Sequence, residues 1–166
     1  MMKSQKVSYC AVFTALAMIF SYVEAILPIN FGIPGMKLGL ANLVIVTGLY
    51  YMSEKDVFLI SLTRILLMGL LFGNGMSLLY SLTGGILSYI IMVTLKKKSS
   101  LSVFAVSVSG GVFHNIGQLA AAAFAVSNIH IFYYLPALLI AGVVTGSLIG
   151  IVSEKILKIL KPNFFD

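Results

Sequence analysis

From Ser99 to Ser153 the chain runs 55 residues without one Asp, Glu, Lys or Arg. A soluble fold cannot enclose such a stretch, because a domain of this size leaves roughly a third of its unfolded surface in contact with solvent. The rest of the chain does not compensate. Of 166 residues, 60% are hydrophobic and 10% charged, against about 25% charged in an ordinary soluble domain. A soluble globular enzyme is therefore excluded, and so is a disordered chain, which would be poor in apolar residues. The sequence predicts an all-α integral membrane protein whose apolar exterior is covered by lipid, a single transmembrane domain over 1–166.

Charge and helix breakers divide that domain. The 55-residue run is too long for one span and suits two, with a break around Ser127–His130. Upstream, Pro28, Gly32, Pro34 and Gly35 mark a loop, Ser53–Asp56 a polar turn and Gly73–Gly75 a tight turn. Six helices result, at about 7–27, 38–52, 57–72, 77–95, 101–126 and 134–160. The first is read as a retained span rather than a cleaved leader, since Glu24 and Pro28 make a poor small-residue cleavage site. No run alternates with period two, which disfavours a barrel.

Six spans place both termini on one side. Lys3, Lys6, Lys55, Lys96, Lys97, Lys98, Lys155, Lys158 and Lys161 lie there, and only Lys37 lies opposite. The positive-inside rule makes that side cytoplasmic. The 28–37 loop, the 73–76 turn and the 127–133 loop then face outward, with Tyr133 and Tyr134 at the outer interface. The net charge of +6 is read as this topology signal and not as a nucleic-acid footprint.

Polar side chains inside apolar spans carry the functional information. Arg64 sits in the third span, where insertion costs roughly 2.5–3.5 kcal/mol and calls for an interior position and a partner. On the fifth, His114 and Gln118 are four residues apart on one face with Asn115 beside them, a cluster expensive in lipid and suited to the wall of a site. Asn42, near the outer end of the second span, is a further candidate. Glu24 and Lys37 flank the first outer loop and are expected to pair with each other.

Small residues mark close-packing surfaces. Gly142, Gly146 and Gly150 form a ridge on the sixth span, read as internal packing, while Ala11 and Ala15 form a stripe on the first. Sequence signatures of catalysis are missing: there is no Walker loop, HExxH, CxxC or GxSxG, and no paired Asp-rich motif for magnesium and a diphosphate. The single cysteine, Cys10, has no metal-ligating neighbours in sequence. No enzyme activity, cofactor or metal is expected.

The strings Pro34-Gly-Met-Lys-Leu-Gly-Leu-Ala-Asn42, Arg64-Ile-Leu, Leu71-Phe-Gly73, Ser81-Leu-Thr-Gly-Gly85, His114-Asn-Ile-Gly-Gln118 and Tyr134-Leu-Pro136 resemble the Gx transporter family, also labelled heptaprenyl diphosphate synthase component I. That family is similar to the substrate-binding S components of energy-coupling-factor (ECF) transporters. The resemblance implies a six-helix bundle in the cell membrane with a small-molecule pocket near the outer face, closed by the first loop. It also implies that Ala11-Val-Phe-Thr-Ala15 docks a transmembrane coupling subunit driven by two cytoplasmic ATPases. Asn42, Arg64, His114, Asn115 and Gln118 become the expected substrate-binding residues. The synthase label implies instead a membrane subunit linked to polyprenyl diphosphate and menaquinone synthesis. A third alternative is a stand-alone small transporter.

Overall fold

The computed structural model describes residues 3–26, 39–98 and 100–160, so the 28–37 loop, Lys37 and Lys161 lie outside the described residues. Six α-helices follow one another: α1 (Lys3–Ile26), α2 (Asn42–Tyr51), α3 (Glu54–Phe72), α4 (Gly75–Lys98), α5 (Val103–Val126) and α6 (Leu135–Leu160). A 3-10 helix, Ile129–Tyr134, joins the last two. Among the described residues there is no strand.

The boundaries have local causes. Ser53 and Ser102 cap α3 and α5, their hydroxyls accepting from the amides of Asp56 and Ala105. Asn74 accepts from the Ser77 amide at 2.9 Å and starts α4. Ser127 ends α5 in the left-handed region, φ 51°, and Asn128 then accepts from the His130 amide to start the 3-10 turn. The break expected at Ser127–His130 is thus a helix terminus with a side-chain cap.

The second helix departs from expectation. The apolar run from Leu38 reads as one helix, but the chain is helical only from Asn42. Gly39 adopts φ +84°, a conformation that side-chain-bearing residues avoid. Three tight i→i+3 bonds, from the amides of Asn42, Leu43 and Val44, wind the chain into α2. Its ten residues rise only about 15 Å, half a hydrocarbon core. α2 nonetheless sits centrally, against α1, α3, α5 and α6, with seven of its ten residues buried.

Glycine contacts set the other helix pairs. α4 and α5 cross at Gly84 and Gly117, where a Cβ on Gly117 would lie 2.8 Å from the Gly84 Cα. α5 and α6 cross at Gly111, Gly142 and Gly146, where a Cβ on Gly146 would lie 2.7 Å from the Val108 Cα. The ridge of Gly142, Gly146 and Gly150 therefore packs inside the chain, as expected. Buried hydroxyls join the same interfaces: Ser88 donates to Gly110 O and Ser107 to Gly146 O, both at 2.8 Å.

The polarity is inverted relative to a soluble protein. Leu70, Phe124, Ile140 and Leu148 are exposed, while Ser21, Glu24, Asn42, Arg64, His114 and Gln118 are buried. An apolar exterior around a polar interior is what a lipid solvent selects. Three segments, Gln5–Ile26, Gly75–Lys98 and Ile129–Leu160, are long and apolar enough to cross a membrane. α3 opens with Glu54, Lys55 and Asp56 and contains Arg64, and α5 contains His114, Asn115 and Gln118. The protein is a membrane protein.

One end of the bundle gathers the charge. Lys6 pairs with Asp56 at 2.9 Å and Lys97 with Glu54 at 2.6 Å. Lys96 donates to Leu49 O near the C-terminus of α2 at 2.6 Å, satisfying a carbonyl that the helix end leaves open. The polar residues of interest lie away from this end.

Candidate functional site

The site forms where α2 stops short. Because α2 begins about halfway along its neighbours, its first turn opens onto side chains that longer helices carry past it. Gly39 lies at that point. Its amide donates to Glu24 Oε1 of α1 at 2.5 Å, and a Cβ added to it would lie 3.1 Å from Asn42 Nδ2 and 3.5 Å from the His114 ring. One glycine thus touches α1, α2 and α5, and its φ of +84° is what favours glycine there.

On α5, His114 and Gln118 share a face and bond to each other, Nε2 to Nε2 at 2.8 Å. The amide donates in the tautomer that keeps the ring proton on Nδ1. Gln118 has no exposed surface and His114 almost none. α4 makes room for them: a Cβ on Gly84 would fall 2.8 Å from Gln118 Cγ and 3.3 Å from His114 Nδ1. Asn115 points toward α6 instead, donating to Leu138 O at 2.8 Å. That carbonyl lies in the first turn of α6, so this end of the Asn115 amide acts in helix packing.

On α3, Arg64 is buried and its Nη1 donates to Ser21 Oγ of α1 at 3.1 Å. Glu24, one turn beyond Ser21 on the same helix face, is the charge that acts on it. Ser21, Glu24 and Arg64 therefore form a second group, tied to the first by the bond from Gly39 to Glu24. Of the residues singled out in the sequence, His114 and Asn42 meet at Gly39, Gln118 joins through His114, Arg64 joins through Glu24, and Asn115 faces α6. The expected partner of Glu24, Lys37, lies outside the described residues.

Sequence reasoning missed Ser21, Gly39 and Gly84 as members of the site. Ser21 and Glu24 at i and i+3 on an apolar helix were a usable signal, since an intramembrane acid needs polar company. Gly39 had none that distinguished it from other glycines before its φ was known. Among the described residues no group of three His, Cys, Asp or Glu side chains is placed to hold a metal. Chemically, the cluster offers neutral donors and acceptors on α5 and α2, one guanidinium and one carboxylate.

The expected docking stripe has a different environment. Ala11 and Ala15 are both exposed, whereas Ala17 and Ser21 on the adjoining face are buried. α1 packs on α3 and α2 and turns its alanine stripe outward.

A family model described as heptaprenyl diphosphate synthase component I matches residues 13–156. No curated protein and no solved structure matches the chain.

Proposed function

The chain belongs to the heptaprenyl diphosphate synthase component I family, and we propose that it is the membrane-embedded substrate-binding component of an ECF-type uptake transporter. Its cargo is a small vitamin-like molecule or a quinone or isoprenoid precursor. The observation that carries this reading is the meeting of Asn42 and His114 at Gly39, at the end of a half-length central helix, with Gln118 bonded to His114. Binding sites in helical transporters form where a helix is interrupted and its terminus meets polar side chains within the membrane. The chain then passes through the membrane six times, α2 supplying only half of the second passage, with the lysine-rich end cytoplasmic and the cluster toward the outer face, beneath the 28–37 loop. The outward-facing Ala11 and Ala15 supply the surface on which a transmembrane coupling subunit, carrying two ATPases, packs closely.

The family description favours a second reading, a non-catalytic membrane subunit that accompanies a prenyl diphosphate synthase. Gentle purification separates the two. Recovery with a membrane coupling protein and ATPases supports the transporter; recovery with a soluble prenyl synthase supports the alternative. Within the transporter reading, Gln118→Ala leaves His114 without its amide partner. It should weaken retention of the co-purified small molecule by about 5–150-fold, equivalent to roughly 1–3 kcal/mol. Unchanged retention by native mass spectrometry counts against a site at this cluster.

A further inference from the structure

Arg64 is 6% exposed, and among the described residues its Nε and Nη2 have no hydrogen-bond partner. These two nitrogens present parallel N–H bonds along one edge of the guanidinium, the fork that matches a planar oxyanion bidentately. The nitrogen on the other side, Nη1, is the one that Ser21 occupies. A buried fork is expensive to leave unmade, and an oxyanion from outside the described residues would satisfy it.

Two further features suit an anion. α2 has ten residues and its N-terminal end faces this region, where aligned peptide dipoles favour negative charge. An anion of this chain already uses that end: Glu24 accepts from the Gly39 amide there. The charge balance then limits the ligand. Among the described residues Arg64 is the single Lys or Arg away from the lysine-rich end, with Glu24 the one carboxylate near it. One guanidinium fork suits one carboxylate and falls short of a diphosphate.

We propose that the substrate carries one carboxylate, held bidentately by Nε and Nη2 of Arg64, with its apolar body directed toward His114 and Gln118. This rests on the reading of the chain as a small-molecule binder and narrows it to monoanionic acids.

The test uses three probes of one shape on the full chain in detergent: 2-naphthoate, 2-naphthamide and 2-naphthyl phosphate. Thermal stabilisation should be clear for the acid, small for the neutral amide and weaker than the acid for the phosphate. Arg64→Lys keeps the charge and removes the fork, so it should lower the apparent affinity for the acid about tenfold or more. It should lower binding of the amide less than binding of the acid. Equal stabilisation by acid and amide, or an Arg64→Lys protein that binds the acid as the native protein does, overturns the proposal. So does the absence of stabilisation by every probe. The acid-to-amide comparison on the native protein needs no variant, so a variant that fails to fold does not rescue it. Native mass spectrometry separates the two levels. A retained neutral molecule overturns the carboxylate inference and leaves the binder reading standing, whereas recovery with a prenyl synthase and no retained molecule overturns both.

Discussion

Helices α1 and α6 carry the same device and use it in opposite ways. Each has small residues at four-residue spacing, Ala11 and Ala15 on one, Gly142, Gly146 and Gly150 on the other. The glycines are buried against α5 at backbone contact distance, and the Gly146 carbonyl receives a hydroxyl from Ser107. The alanines are exposed, with Val12, Leu16 and Ile19 beside them. Spacing alone identifies a surface to which another backbone can come close. Whether the partner is supplied by the same chain decides whether that surface holds the fold together or stays open for something else.

The largest effect that tests this contrast is in α6. A side chain at position 146 has no room, since its first carbon would already lie 2.7 Å from the Val108 Cα and 2.9 Å from the Ser107 carbonyl oxygen. Gly146→Leu must push α5 and α6 apart and cost about 3 kcal/mol, read as loss of monodisperse protein or a large fall in thermal midpoint. A protein of normal stability would mean that the α5–α6 interface is not the structural one.

Ala15→Leu should behave in reverse. At an exposed position the fold is expected to stay within about 0.5 kcal/mol of the native protein. Affinity for a transmembrane coupling subunit should fall about tenfold or more, because the added side chain separates two closely packed helices. If Ala15→Leu unfolds the protein as Gly146→Leu does, the contrast between the helices disappears. If it folds and still assembles normally, the stripe is not a docking surface.

The polar anchors of the two helices give a finer test. α6 receives the Asn115 amide at Leu138 O, and α1 receives Arg64 at Ser21 Oγ. Asn115→Ala removes a buried donor from a carbonyl in a mated interface and should cost about 1–2 kcal/mol of stability. It should also leave ligand retention less affected than Gln118→Ala does. The reverse ranking for retention would place Asn115 among the ligand contacts, as its position beside His114 in the sequence suggested.

Much of this architecture was legible beforehand, for physical reasons. Charge is costly in lipid, so the positions of Lys, Asp and Glu located the ends of helices, and Gly and Pro located the loops. The inward facing of Arg64, His114 and Gln118 followed from the same cost. The half-length of α2 was not legible, because Leu38 to Met52 is continuously apolar and hydropathy does not register that Gly39 has turned to φ +84°. Asn115 and His114 could not be told apart either. They are adjacent in the sequence, and the roughly 100° between successive residues of a helix sends one toward Gly39 and the other to α6. The partner of Glu24 was sought at Lys37, a charge, when a backbone amide at Gly39 answers part of the same need.

The smallest effect concerns how the N-terminal end of α1 is tied down. Lys6 bridges to Asp56 at 2.9 Å, but its side chain is half exposed, so the pair itself contributes about 0.5 kcal/mol or less. Asp56 does more than pair. The Ser53 hydroxyl, followed by Lys6, holds its carboxyl below the ordinary carboxylate range, and the Asp56 amide donates to Ser53 Oγ at the start of α3. A depressed pKa contributes stability above the unfolded value of about 3.9, and that contribution disappears as pH falls through the lower folded value. The two groups are separable by substitution. Lys6→Met removes only the tether to α1, and Asp56→Asn removes the tether together with the ionised cap. Thermal midpoints at pH 7 should fall slightly for the first and further for the second, and the gap between native protein and Asp56→Asn should narrow below about pH 4. Were Lys6→Met the more damaging of the two, α1 would depend on its N-terminal tether, and its attachment would be weaker than its packing on α3 and α2 implies.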